Sequence, residues 1–276
     1  MSYADLHLHL LPGVDDGARD EREALEHATR MAMEGVREAV VTPHVGHPSF
    51  DLDVASIPAR TRALQARLDQ ARIPLRLRPG GEIHPDAARR LTAQELETIA
   101  QGPPGARWVL AEVPFAGIDE GFLAGCRAIR AHGYAVLIAH PERAAGFLDG
   151  GLERLSGELA AGSVLQVNVC SLLGHHGPEA QEGAERLVRE GTAYVLASDG
   201  HAGSRRHTLR LGFELALSAG ASSVHAWRLT QANPRFLLRH GVPGGPGTPA
   251  AAAAEVIPPQ RLAAARAAAR RLAAAR

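Results

Sequence analysis

Two histidines near the start of the chain are spaced for chemistry. Asp5-Leu6-His7-Leu8-His9 reads as a strand, and residues two apart in a strand project from one face, so His7 and His9 can reach a single metal ion. Val14-Asp15-Asp16-Gly17 follows with carboxylates. A lone histidine is seldom a ligand, because neutral imidazole sits well at half-buried positions. His-x-His on a strand, with acids close behind, is a metal-site opening. Further on, His44, Glu82, Glu112, His140 and the pair Asp199 and His201 each follow a short apolar run. Five histidines and four acids, Asp16 among them, exceed what one ion holds, since catalytic zinc takes about three protein ligands plus water. Nine candidates point to two or three metals sharing bridging carboxylates.

The elements that must position these residues alternate along the chain. Strand-like runs occupy residues 3–8, 37–42, 74–78, 108–111, 135–139, 164–169 and 193–197. Helical spacing fills 21–34, 55–71, 120–131, 149–161 and 178–190. Strands this continuously apolar are buried on both faces, which predicts a parallel sheet with helical crossovers. Every candidate ligand except Asp16 then lies at the C-terminal end of a strand. Closing the strands into a barrel brings those ends together on the face where barrel enzymes build their sites. An open sheet would spread seven strand ends along roughly 30 Å and could not gather them.

Composition excludes several classes. The formal net charge is 0, so nothing calls for nucleic acid or an anionic membrane. No run of eighteen apolar residues and no basic-then-apolar N-terminus occurs, which predicts a soluble, cytoplasmic protein without a transmembrane segment. Cys126 and Cys170 make no disulfide framework and read as core. The 30 basic residues are all arginine.

These residues also carry a resemblance. His7-Leu8-His9 with Asp16, Thr42-Pro43-His44, Gly81-Glu82, Glu112, His140-Pro141-Glu142-Arg143 and Ser198-Asp199-Gly200-His201 resemble the metal-binding motifs of the PHP (polymerase and histidinol phosphatase) superfamily, in order, over about residues 3–240. Within it, the Leu11-to-Ala18 segment and His-Pro-Glu-Arg resemble the bacterial protein tyrosine phosphatases of capsule and exopolysaccharide operons. The resemblance implies a distorted (β/α)7 TIM-like barrel with its metal site at the C-terminal ends of the strands. It implies two or three ions, usually manganese, with iron, zinc, cobalt or magnesium as alternatives. The implied activity is that of a phosphoric monoester hydrolase, a protein tyrosine phosphatase acting on the tail of a cognate tyrosine autokinase. The implied metal ligands are His7, His9, Asp16, His44, Glu82, Glu112, His140, Asp199 and His201. Arg143 matches an arginine that binds substrate phosphate. Arg206 lies where the family has a second one, but Arg205 is adjacent and the correspondence stays open by one residue. Ala202 replaces the family's usual asparagine.

The chemistry is reasonable on independent grounds. Phosphate monoester dianions repel hydroxide and hydrolyse extremely slowly, so a site must neutralise charge and supply a nucleophile. Clustered divalent ions do both by activating water for in-line attack, and a planar guanidinium adds bidentate contacts. Rival schemes fail on the residues. A cysteine phosphatase needs Cys-x5-Arg, yet His132 and His176 stand six after the two cysteines. A carboxylated-lysine bridge is impossible without lysine. A histidinol-phosphate type phosphatase and a non-catalytic metal-binding module are the remaining alternatives. The Leu-Pro-Gly-Val-Asp-Asp-Gly segment speaks against the first, and the intact ligand set against the second.

Other polar residues read more plainly. His47 is expected in a loop rather than lining the pocket, His84 behind Glu82 or in a solvated loop, the His175-His176 pair in an exposed loop, Asp15 behind Asp16 or in a turn, and Asn168 orienting a ligand or capping a layer of side chains. Domain boundaries are expected at 1–240 for the metallophosphatase unit and 241–276 for a Pro/Gly linker and Ala/Arg-rich tail.

Overall fold

In the computed structural model, which describes residues 2–206 and 208–248, every side chain of β1 (Tyr3–His9) is buried. Its two faces pack into separate apolar cores, Tyr3 and Leu8 into one and Ala4 and Leu6 into the other, as in a sheet covered on both sides. The other strands are β2 (Val36–Val41), β3 (His44–Val45), β4 (Arg76–Pro79), β5 (Glu82–Ile83), β6 (Trp108–Glu112), β7 (Ala135–Ala139), β8 (Val164–Asn168), β9 (Ala193–Ala197) and β10 (Gly200–His201). All ladders between them are parallel. They form a four-stranded sheet in the order β10-β1-β2-β4 and a six-stranded sheet in the order β3-β5-β6-β7-β8-β9. The parallel α/β architecture is the expected one; among the described residues neither sheet closes on itself.

Three of the seven strand runs do not continue unbroken into their chemical residues. Thr42-Pro43 separates β2 from β3, Gly80-Gly81 separates β4 from β5, and Ser198-Asp199 separates β9 from β10. At each break the chain leaves one sheet and joins the other. Pro43 has no N–H for a ladder, and Asp199 takes a left-handed φ of 47°. β1 stitches two of the breaks in place. Its Leu8 N–H donates to Thr42 Oγ1 at 3.0 Å, and the Ser198 N–H donates to Asp5 Oδ1 at 3.1 Å.

Apolar residues sort into two cores. The larger packs helices against the outer faces of the strands, using α1 (Glu21–Met33), α2 (Ile57–Gln70), α3 (Ala93–Ile99) and α4 (Glu120–Ala131) among others. The smaller lies between the sheets and draws alternate residues from single strands: Ala4 and Leu6, Trp108 and Leu110, then Ala135, Leu137 and Ala139. The same parity carries β6 on to Glu112, so the interior changes from apolar to polar toward the C-terminal strand ends. β1 gains a residue between Asp5 and Leu8 relative to β2, a bulge that lets its histidines follow Leu6.

Helix boundaries mostly follow composition. Asp20 and Asp119 cap α1 and α4, each accepting from a backbone N–H three residues on, and Thr92 and Glu95 form a capping box on α3, a helix the periodicity does not announce. The expected helix over 149–161 is broken instead: Gly150 takes φ 104°, and helix follows it only as the short pieces Leu152–Arg154 and Ser156–Ala160. The described part of the expected linker, 241–248, packs back on the fold, with Val242 fully buried in the smaller core beside Leu237. The rest of the tail lies outside the described residues.

Candidate active site

The nine residues singled out as candidate ligands converge. Their donor atoms fall into four overlapping groups, each within 4.8 Å: His9, Asp16, His44 and His201; His7, His9 and Glu82; His7, His140 and Asp199; His44, Glu82 and Glu112. Eight of the nine are buried, and Asp16 stands at the exposed rim. β10 pairs with β1 so that His201 lies beside His9, and β3 pairs with β5 so that His44 lies beside Glu82. His140 reaches inward from a left-handed backbone, φ 33°, directly after β7. Two non-glycine residues of the cluster in this disfavoured region store strain that the surrounding packing must hold.

Glu82 is the hub. Its Oε1 lies 3.2 Å from His7 Nε2 and 2.9 Å from His140 Nε2, and its Oε2 lies 3.3 Å from His9 Nε2 and 3.2 Å from His44 Nδ1. Asp199 Oδ1 stands 3.4 Å from both His7 Nε2 and His9 Nε2. Two imidazole nitrogens also face each other, His7 Nε2 and His9 Nε2, at 3.2 Å. Lone pairs gathered on shared carboxylates in this way suit bridged cations.

Outer partners fix the ring tautomers. His7 Nδ1–H donates to Gln166 Oε1 at 3.0 Å, His9 Nδ1–H to Asp15 Oδ2 at 2.8 Å, and His201 Nδ1–H to the Asp199 carbonyl at 2.9 Å. Each leaves Nε2 turned inward with its lone pair, the usual support of a ligating histidine. Gln166 in turn donates to Asn168 Oδ1 at 2.7 Å, and Asn168 Nδ2 donates to Asp199 Oδ2 at 2.8 Å. Asn168 therefore orients Asp199, and Asp15 supports His9 rather than Asp16. The sequence does not single out Gln166, although it shares the face of Asn168 on β8. Close approach explains the local glycine as well: a Cβ on Gly17 would sit 2.3 Å from the His9 carbonyl oxygen.

Electrostatics test whether the residues present fit cations. Burial opposes charge on Glu82, yet the pull of His7 and hydrogen bonds from His140, His7 and His9 hold its carboxyl well below the usual range. Burial and then repulsion from Glu82 push Glu112 up to about 9. Burial disfavours charge on His9, but Asp15 and Glu82 raise it well above the ordinary imidazole value. These shifts share one cause, the crowding of carboxylates in a buried space, which positive charge relieves. The donor set fits divalent ions, and its His/carboxylate mixture suits first-row transition metals.

Two arginines border the cluster. Arg143 Nη1 donates to Asp199 Oδ2 at 3.2 Å, and its guanidinium carbon lies 4.3 Å from the centre of the Phe115 ring. Of the adjacent pair, half-buried Arg205 places Nη2 3.4 Å from Asp199 Oδ1 and 2.7 Å from His201 Nε2. Exposed Arg206 turns its Nε–H to the Ala202 carbonyl. His176 lies in a loop as expected but is not exposed: it is half-buried, 2.9 Å from Ser171 Oγ, and burial with the charges of Arg143 and Arg205 brings it down to about 3. His175 beside it is exposed. His47, His84 and Phe50 form a half-buried aromatic rim, with the Phe50 ring stacked 5.5 Å from His44.

Residues 3–238 match the family described as capsular polysaccharide synthesis, CpsB/CapC. The chain belongs to the CpsB/CapC family. Among the relatives of this CpsB/CapC chain, tyrosine-protein phosphatase YwqE of Bacillus subtilis (strain 168) is 29% identical over 244 residues, 86% of this chain and 91% of the relative. A solved structure from work on YwqE of Bacillus subtilis and CpsB of Streptococcus pneumoniae, described as unique metal-dependent tyrosine phosphatases, matches with a TM-score of 0.73 and 24% identity. That match covers 89% of this chain and 99% of the other. Histidinol phosphate phosphatase of Lactococcus lactis subsp. lactis Il1403, complexed with zinc, L-histidinol and phosphate, matches with a TM-score of 0.52 and 17% identity, over 80% and 95% of the two chains. Both structural likenesses speak for a shared fold.

Proposed function

We propose that this CpsB/CapC chain is a metal-dependent phosphomonoesterase that hydrolyses phosphotyrosine on a protein, its partner being the tail of a bacterial tyrosine kinase. The observation that carries the reading is the convergence of nine metal-type donors on Glu82 and Asp199, with guanidinium groups at their edge. Family membership and the named activity of YwqE support the substrate class. We take all nine residues as ligands of two or three ions, manganese in the cell, and the cytoplasm as the compartment. Among the described residues no helix is long and apolar enough to cross a membrane. We read the architecture as a distorted (β/α)7 barrel. In its favour, the seven strand runs follow one another in spatial order, and β10 pairs with β1.

Divalent ions held there would supply a nucleophilic water near neutral pH and offset the charge on the phosphoryl oxygens. The chain's own residues do the rest. Gln166, Asp15 and Asn168 hold His7, His9 and Asp199 so that little reorganisation accompanies the reaction. Arg143, steadied by Asp199, turns its remaining N–H groups to the substrate phosphate. The second anchor comes from the Arg205-Arg206 pair, and Arg205 is the one that touches the cluster. Tyrosine phenolate, with a pKa near 10, leaves far more readily than an alkoxide.

The test is phosphate release by the manganese-loaded protein from a tyrosine-phosphorylated peptide and from histidinol phosphate. The expected result is a kcat/KM at least about a hundredfold higher for the peptide, set by binding and leaving-group differences. Turnover of histidinol phosphate alone would replace the protein substrate with a small molecule.

A further inference from the structure

We propose that Phe115 forms one wall of the slot that receives the phenyl ring of the substrate, and so sets a preference for aryl over alkyl phosphomonoesters. The inference rests on the phosphotyrosine reading above. Only 4% of this chain is aromatic, and the chain has six phenylalanines. Phe122, Phe147 and Phe236 are buried, whereas Phe115 is 48% exposed. It sits in the loop after β6, three residues past Glu112, so the strand that supplies a candidate ligand also delivers an apolar ring to the edge of the site. The ring lies 4.3 Å from the Arg143 guanidinium and 5.9 Å from the His140 ring, centre to centre.

The ring is held rather than loosely displayed. The Ala145 N–H donates to the Phe115 carbonyl at 2.9 Å, which ties the loop to the turn carrying Arg143, and Gly117 closes the turn with a hydrogen bond to the Pro114 carbonyl at 3.1 Å. Gly117 takes φ 122°, a conformation that side chains resist. Phe50, the other phenylalanine at the site, is committed to packing: it stacks on His44 at 10° and meets His47 at 4.8 Å.

Covalent geometry links Phe115 to the substrate ring. In an aryl phosphate the phenolic oxygen is bonded to phosphorus and to the ring, so a phosphate anchored by Arg143 brings its ring within one ester linkage of that guanidinium. Phe115, its ring centre 4.3 Å from that guanidinium, presents an exposed apolar face beside the anchor. A ring-on-ring contact of this kind corresponds to about a tenfold difference in affinity.

Calorimetric binding of phenylphosphonate and of inorganic phosphate to the manganese-loaded protein separates the possibilities, because both use the phosphate anchor and only one carries a ring. Phe115→Ala is expected to weaken phenylphosphonate about tenfold while leaving inorganic phosphate within about twofold, and Phe115→Tyr is expected to restore the difference. If Phe115→Ala weakens both ligands equally, Phe115 only steadies Arg143 and the proposal falls. Unchanged binding of both would overturn it too. Failure to turn over a phosphotyrosine peptide would remove the parent reading, and the comparison of the two ligands would still decide the role of Phe115.

Discussion

Glu82→Gln is expected to lower kcat/KM for a phosphotyrosine peptide by at least about a thousandfold, or about 4 kcal/mol of transition-state stabilisation. The substitution keeps the shape of the side chain and removes its charge and one of its two acceptor oxygens. Four histidine nitrogens, from His7, His9, His44 and His140, lie within 3.3 Å of those oxygens. No other acid in the cluster faces as many. A bridging carboxylate that becomes an amide loses its hold on the ions at both ends, so bound metal per chain should fall together with activity. Metal analysis of the purified variant checks the first consequence and steady-state kinetics the second. Full activity at unchanged metal content would remove Glu82 from the centre of the site.

Arg143→Ala is expected to lower kcat/KM about a hundredfold while bound metal stays near the wild-type level. The Arg143 side chain hydrogen-bonds the cluster at Asp199 Oδ2, an oxygen that Asn168 also serves, so its truncation leaves the nine candidate ligands in place. Arg143→Lys should recover little, because an ammonium cannot reproduce the planar, two-pronged contact with phosphate oxygens. The neighbouring pair gives a companion comparison. Arg205→Ala should cost more than Arg206→Ala, since Arg205 lies against Asp199 and His201 and Arg206 is turned to a backbone carbonyl. The reverse order would return the second anchor to Arg206, the position suggested by sequence resemblance.

Why some of this is legible in the sequence and some is not follows from the kind of signal each residue leaves. Candidate ligands that end apolar runs announce themselves, because a buried strand seldom finishes in histidine or glutamate. His7, His9, Glu112 and His140 are of this type, and the parallel architecture that gathers them follows from the same runs. The sheet change at Thr42-Pro43, Gly80-Gly81 and Ser198-Asp199 is not legible, because two-residue strands carry no periodicity. Nor is the left-handed backbone of His140 and Asp199, which packing imposes on residues that do not favour it. Supporting side chains are only partly visible. Asn168 stands out as a polar residue ending a strand, whereas Gln166, one step earlier on the same face, looks like an ordinary interruption. Asp5, fully buried and accepting from Ser198, leaves no distinguishing mark in sequence either. His176 misleads because flanking glycines suggest an open loop, while the chain folds this loop back beside the arginines.

If this cluster works by holding metal, activity must follow metal content. Protein stripped with a strong chelator should release no phosphate from a tyrosine-phosphorylated peptide above background. Titrating manganese back should restore turnover, saturating when two or three ions are bound per chain, as counted by elemental analysis of the same samples. Equal turnover before and after stripping, at a metal content well below one ion per chain, would mean that the cluster hydrolyses phosphate without metal.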